Sequence, residues 1–106
     1  MKRLKILVYG DQNLNILDGS AIWLTSLVNI LTYNRTSDVH VLLKTPIRRT
    51  QVISNIKHKN DVSFINPFEK YKKIKFKEKI RLIPEEACKI IQKLDQDNNY
   101  DIIIVR

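Results

Sequence analysis

The chain is 106 residues long, which limits it to a single domain, and its 43% hydrophobic content excludes a disordered chain. A net charge of +8 permits anionic partners such as phosphorylated ligands, anionic lipid or nucleic acid. A single cysteine, Cys88, excludes an internal disulfide and any cysteine-rich metal site.

Targeting segments are not apparent in the sequence. The apolar run behind the basic N-terminus ends at Tyr9, which is too short for the apolar region of a signal peptide. No stretch approaches the ~20 apolar residues of a membrane span. A single cysteine also fits a reducing compartment, so we expect a cytoplasmic protein.

Four short apolar runs have the composition of buried parallel strands, at residues 4–9, 39–43, 62–65 and 101–105. They alternate with helical patterns, which predicts an α/β fold with a Rossmann-like open parallel sheet and helices on both faces. Right-handed crossovers leave few alternatives to the strand order 3-2-1-4.

The first helical pattern should begin at Gly19 or Ser20 and end near Tyr33. Thr25 lies outside its apolar stripe, which is formed by Ala21, Leu24, Leu27, Val28 and Leu31. We expect this stripe to be buried against the sheet.

A second helical pattern precedes the last strand. Pro84 suits its first turn, and Glu85 and Glu86 favour the positive end of the helix dipole. Its buried stripe should be Ala87, Ile90, Ile91 and Leu94, with Cys88 beside it as a packed thiol. Residues 50–57 are compatible with a short additional helix that directs Val52, Ile53 and Ile56 inward.

The loop between the first strand and the first helix is a candidate anion site. Asp18, Gly19 and Ser20 stand at the start of the helix, where unpaired N–H groups and a partial positive charge suit a diphosphate. Gly19 has no Cβ, so a ligand could approach the backbone closely. The alternative is that Asp18 only caps the helix and Gly19 only eases a turn.

Two further basic segments could contact anions. Lys44, Arg48 and Arg49 follow the second strand at the same edge of the sheet, where arginines could bind a phosphate or a carboxylate. The run 69–81 interleaves aromatic residues with lysines that could form a basic patch on a membrane surface, namely Lys70, Lys72, Lys73, Lys75 and Lys77. Both segments could instead be solvated loops. His40 and His58 have no ligand-spaced partners, so no metal is expected.

A family resemblance is carried by the stretch KILVYGDQNLNILDGSAIWLTSLVNIL, by the DVHVLLK that follows it, and by the later YDIII. This succession resembles the N-terminal start of the GT-B glycosyltransferases, the retaining group that depends on nucleotide sugars. The glycine pair of the family is replaced here by Asp18-Gly19.

The resemblance implies two Rossmann-like domains facing a cleft. Residues 1–106 would be an incomplete N-terminal, acceptor-side domain, and the donor-binding C-terminal domain would be absent from this chain. The full-length enzyme would be a hexosyltransferase that moves a sugar from a nucleotide diphosphate sugar to a glycan, lipid or cell-envelope acceptor. Gly19 matches the position whose backbone approaches the donor diphosphate, and Arg106 lies where the family's strand ends at the cleft. This chain alone would be inactive.

The resemblance also implies the partners, which are a nucleotide-sugar donor and a glycan or lipid acceptor. The enzyme would lie in the cytoplasm, at the inner face of the membrane. No cofactor and no nucleic acid are expected. The alternative is a non-enzymatic α/β module of receiver or flavodoxin-like type. A receiver would need paired acidic residues after strand one and an aspartate at the end of strand three, where this chain has Gly10-Asp11 and Asn66-Pro67.

Overall fold

Four parallel strands and two long helices form an α/β structure. The computed structural model describes residues 3–10, 14–15, 18–45, 47–67 and 84–106. The elements are β1 (Leu4–Tyr9), α1 (Gly19–Leu31), β2 (Ser37–Leu42), β3 (Val62–Ile65), α2 (Pro84–Asn98) and β4 (Ile102–Val105). Single 3-10 turns at Ile53–Asn55 and Lys59–Asp61 precede β3.

The sheet has the strand order β3-β2-β1-β4, and every neighbouring pair is parallel. This confirms the predicted α/β class and the predicted order, and the architecture is compatible with a Rossmann-like fold. The second strand begins two residues earlier than predicted, and the fourth begins at Ile102 instead of Asp101. Asp101 still pairs with β1, because its N–H donates to the Lys5 carbonyl at 2.8 Å and its carboxylate accepts from the Lys5 N–H at 2.9 Å.

The two helices cover opposite faces of the sheet, as predicted. Alternate residues of the central strand point to opposite sides, so Ile6 and Val8 pack on the α1 side, whereas Leu7 and Tyr9 pack on the α2 side. On the α1 side, the predicted inward residues Val52 and Ile56 complete the core next to the helix. Among the described residues, no helix is long and apolar enough to cross a membrane.

Some predictions about the helix faces are wrong. Thr25 is buried in the α1 stripe because its hydroxyl donates to the Ala21 carbonyl at 3.2 Å, so the helix itself satisfies this polar group. Leu27 and Leu31, for which the stripe predicts burial, lie at its border and are half-buried. Cys88 is exposed rather than packed, because the only buried residue of α2 is its neighbour Ala87. The other residues of the predicted α2 stripe pack on the sheet but are also only half-buried, namely Ile90, Ile91 and Leu94.

Candidate functional site

The carboxyl ends of all four strands meet at one edge of the sheet, because the strands are parallel. The Arg106 N–H donates to the Tyr9 carbonyl at 3.0 Å, so the end of β4 lies directly beside the end of β1. The chain leaves β1 toward β2 on one side and reaches β4 on the other side. This is a topological switch point, the place where open α/β sheets bind their ligands.

The N-terminus of α1 lies at this edge. Asp18 adopts an extended conformation with φ of −131°, and its side chain accepts a hydrogen bond from the Ala21 N–H at 2.8 Å. The capping role of Asp18 is therefore confirmed. The Gly19 and Ser20 N–H groups have no acceptor among the described residues, so two backbone donors remain at the positive end of the helix.

Gly19 itself is exposed, and an ideal Cβ built on it meets no atom of the described residues within 4 Å. Its φ is not positive, so the backbone does not require a glycine at this position. The local fold leaves open space beside the helix terminus, and neither a turn nor a packing contact explains the glycine. This open space is the property that a close approach by a ligand would need.

The loop after β2 is attached to the loop after β1. The Asn15 side-chain oxygen accepts hydrogen bonds from the Arg48 N–H and, at 2.9 Å, from the Arg49 N–H. Leu14, beside Asn15, is buried in the α1-side core and anchors this link. The predicted basic loop is therefore held against the β1–α1 connection, while the side chains of Arg48 and Arg49 are exposed. Lys44, at the start of the same loop, is half-buried.

Arg106 packs on the first helix. Its guanidinium carbon lies 4.6 Å from the centre of the Trp23 ring, which is a cation–π contact. The contact holds a positive charge against the second turn of α1, one turn from the helix N-terminus. The sequence placed Arg106 at this edge but gave no reason for its orientation. The Trp23 ring supplies that reason.

The structure thus brings the predicted residues of the α1 terminus, the β2 loop and the β4 end to one edge of the sheet. The five lysines of the predicted membrane patch, Lys70, Lys72, Lys73, Lys75 and Lys77, lie outside the described residues. Within the part of the chain that the structure describes, no cluster of three histidine, cysteine or acidic side chains could hold a metal ion.

The opposite, amino edge of the sheet is closed by ion pairs. Arg3 contacts Asp38 and Asp61, each at 2.9 Å, and Arg35 also pairs with Asp61. The hydrogen bond from Arg35 holds the pKa of Asp61 below its ordinary value, and Arg3 adds to this effect. The hydrogen bond to Asp38 in turn raises the pKa of Arg3. Carboxylates therefore neutralise the arginines at this edge of the sheet.

A histidine–tyrosine pair links the middle of the sheet to the α2 side. The His40 Nδ1 lies 2.7 Å from the Tyr100 hydroxyl, and the two rings meet edge to face at 5.3 Å. Burial lowers the pKa of His40 and raises the pKa of Tyr100. Since His40 lies within β2 and Tyr100 lies just before β4 begins, the pair is away from the carboxyl ends of the strands and belongs to the packing of the fold.

Comparison of the chain with protein-family models, with curated proteins and with solved structures gave no match.

Proposed function

We propose that this chain is the N-terminal, acceptor-side domain of a GT-B glycosyltransferase. The full-length enzyme would transfer a sugar from a nucleotide diphosphate sugar to a glycan, lipid or cell-envelope acceptor, at the cytoplasmic face of a membrane. The observation that carries the proposal is the open α1 N-terminus at the switch point. Among the described residues, the Gly19 and Ser20 N–H groups have no acceptor and no atom occupies the Cβ space of Gly19.

Sugar transfer from such a donor releases a diphosphate, so catalysis depends on stabilising the negative charge that develops there. The Gly19 and Ser20 N–H groups and the positive end of α1 offer fixed dipoles for that charge. Arg106, held on Trp23, adds a cation near the same terminus. In this proposal Arg48 and Arg49, in the neighbouring loop, bind anionic groups of the donor or the acceptor.

The strand order favours this proposal over a receiver or flavodoxin-like module. The observed order, β3-β2-β1-β4, corresponds to one half of the doubly wound order 3-2-1-4-5-6 and continues across β1 to β4. A flavodoxin-like sheet has the order 2-1-3-4-5, in which the third strand lies next to the first. Here β3 lies beside β2 at the edge of the sheet.

The experiment that tests the proposal is Gly19→Val in the full-length enzyme. A valine fits the described part of the fold, because its Cβ meets no atom there within 4 Å and the backbone φ is not positive. Its branched side chain would occupy the space that the donor diphosphate needs. We expect the donor KM to rise or kcat to fall by about tenfold or more, as when a donor to developing charge is removed.

The matched control is Ser26→Val, which adds the same side chain at an exposed position of the same helix. It should leave the kinetics unchanged. A folded Gly19→Val enzyme with the kinetics of the control would reduce the site to helix capping by Asp18 and would refute the donor assignment.

A further inference from the structure

A cationic surface depression lies at the amino edge of the sheet, away from the proposed donor site. Its volume is about 400 Å³, and Arg35, Lys57, His58 and Lys59 line it together with Ser54 and Asn60. No carboxylate lines it among the described residues. The ion pairs beside it neutralise Arg3 and Arg35, so the two lysines contribute an excess of positive charge.

Arg35 is held in place from both its backbone and its side chain. Its φ of 58° lies in the left-handed region, which is uncommon for residues other than glycine and asparagine. Its Nε donates to Asp61, whose side chain is only 9% exposed, and its carbonyl accepts from Arg3 at 2.7 Å. The two terminal nitrogens of Arg35 have no acceptor in the described part of the chain. The guanidinium is thus already ordered before an anion arrives.

A second depression of about 430 Å³ adjoins the first and shares Lys57 and His58 with it. This second depression is lined by Ile30 and Tyr33, which are 71% and 77% exposed. The Asn29 side chain fixes its wall, because its oxygen accepts from the Lys57 N–H at 2.9 Å and its nitrogen donates to the Asn55 carbonyl at 3.0 Å. A cationic half and an apolar half therefore lie side by side.

We propose that the two depressions together bind a phosphate monoester whose substituent is aromatic or apolar. Arg35, Lys57 and Lys59 would hold the phosphate, since charged donors make the strongest hydrogen bonds to phosphate oxygens. The substituent would cover Tyr33 and Ile30, which are otherwise exposed to water. The site lies at the edge of the sheet opposite the α1 N-terminus, so it does not depend on the proposed transferase function.

The test is a titration of the chain with inorganic phosphate and with phenyl phosphate at constant ionic strength, followed by calorimetry or by amide chemical shifts. We expect phenyl phosphate to bind more tightly than inorganic phosphate. The double variant Lys57→Ala with Lys59→Ala should weaken both by about tenfold, because two charge-assisted contacts are lost. The control double variant Lys89→Ala with Lys93→Ala removes the same charge from exposed positions on α2 and should bind like the native chain.

Tyr33→Ala separates the two halves of the site. It should bring the affinity for phenyl phosphate down to that for inorganic phosphate and leave inorganic phosphate binding unchanged. The proposed site would be refuted if neither anion bound the native chain. It would also be refuted if the control double variant lost as much affinity as the Lys57→Ala, Lys59→Ala double variant. If phenyl phosphate and inorganic phosphate bind the native chain equally well, and Tyr33→Ala changes neither affinity, the apolar half takes no part in binding and the proposal is overturned.

Discussion

The two faces of the sheet are packed to different depths. On the α1 face, the helix contributes Ala21, Leu24, Thr25 and Val28, each no more than 3% exposed. On the α2 face, only Ala87 of the helix is buried, and the other apolar residues of its stripe, Ile90, Ile91 and Leu94, are half-buried. Ile103 and Val105 of the edge strand β4, which pair with Leu7 and Tyr9 of this face, also remain exposed.

This difference shows which half of the molecule can support a site. A binding group must be held by neighbours that are themselves fixed by packing. The N-terminus of α1 carries the proposed donor contacts, and Ile30 near its C-terminus lines the amino-edge depression together with Tyr33, which follows the helix. The two candidate sites therefore adjoin the densely packed helix, one at each end.

The largest expected effect is that of Leu24→Ala. Leu24 is 3% exposed and packs in the α1-side core, so removing its side chain leaves a cavity. We expect the free energy of unfolding to fall by about 2–5 kcal/mol, measured by urea denaturation.

The matched substitution on the other face is Leu94→Ala, at a half-buried position of α2. We expect a loss of about 1 kcal/mol, because less apolar surface leaves contact with the protein. Equal losses for the two variants would remove the distinction between the faces.

Local chemistry explains why much of the fold was predictable from the sequence. The short apolar runs predicted β1 and β3 at their observed boundaries. For β1 the reason is that a central parallel strand covered on both faces needs continuous apolar residues. Pro84, Glu85 and Glu86 marked the start of α2, and Asp18 marked the cap of α1. Each of these signals acts within a few residues of the chain.

The contacts that were missed join residues that are distant in sequence. Asn15 binds the loop 33 to 34 residues downstream, and Arg106 at the end of β4 contacts Trp23 of α1, so no local pattern identifies either contact. The sequence pattern predicts Thr25 outside the buried stripe because threonine is polar. Its hydroxyl is satisfied by a hydrogen bond to its own helix, so the residue is buried without cost to its polar group. The predicted packing of Cys88 beside the α2 stripe is wrong because α2 buries only Ala87, so a thiol at the border of the stripe remains exposed.

The next effect is the pH dependence of the stability, which we expect to arise from His40 on the α2 face. Burial holds the pKa of His40 below its ordinary value of 6.5, the neighbouring Asp38 opposes this shift and Lys5 adds to it. Between the lowered pKa of His40 in the folded chain and its ordinary pKa in the unfolded chain, only the unfolded chain binds the proton. Stability is therefore lost as the pH falls through this range. We expect the Tm to drop between about pH 7 and pH 5, where unperturbed histidine titrates.

His40→Gln should reduce this drop, because glutamine does not titrate but can still bond to the Tyr100 hydroxyl. Tyr100→Phe is the companion variant, since it removes the hydroxyl and keeps the imidazole, and it should preserve the pH dependence. An unchanged drop in His40→Gln would assign the effect to other groups and would leave His40 as a packing residue only.

The smallest expected effect is at Cys88, which is exposed on α2 next to the buried Ala87. Because the thiol is exposed, Cys88→Ser should change the free energy of unfolding by no more than about 0.5 kcal/mol. A thiol reagent should also modify Cys88 in the native chain about as fast as in urea. Moving the thiol by one residue, with Cys88→Ser and Ala87→Cys, should slow native labelling by about tenfold or more, since reaction at the 2% exposed position requires local opening. Equally fast labelling at both positions would mean that α2 detaches readily from the sheet, and the α2 face would then be weaker than its static packing indicates.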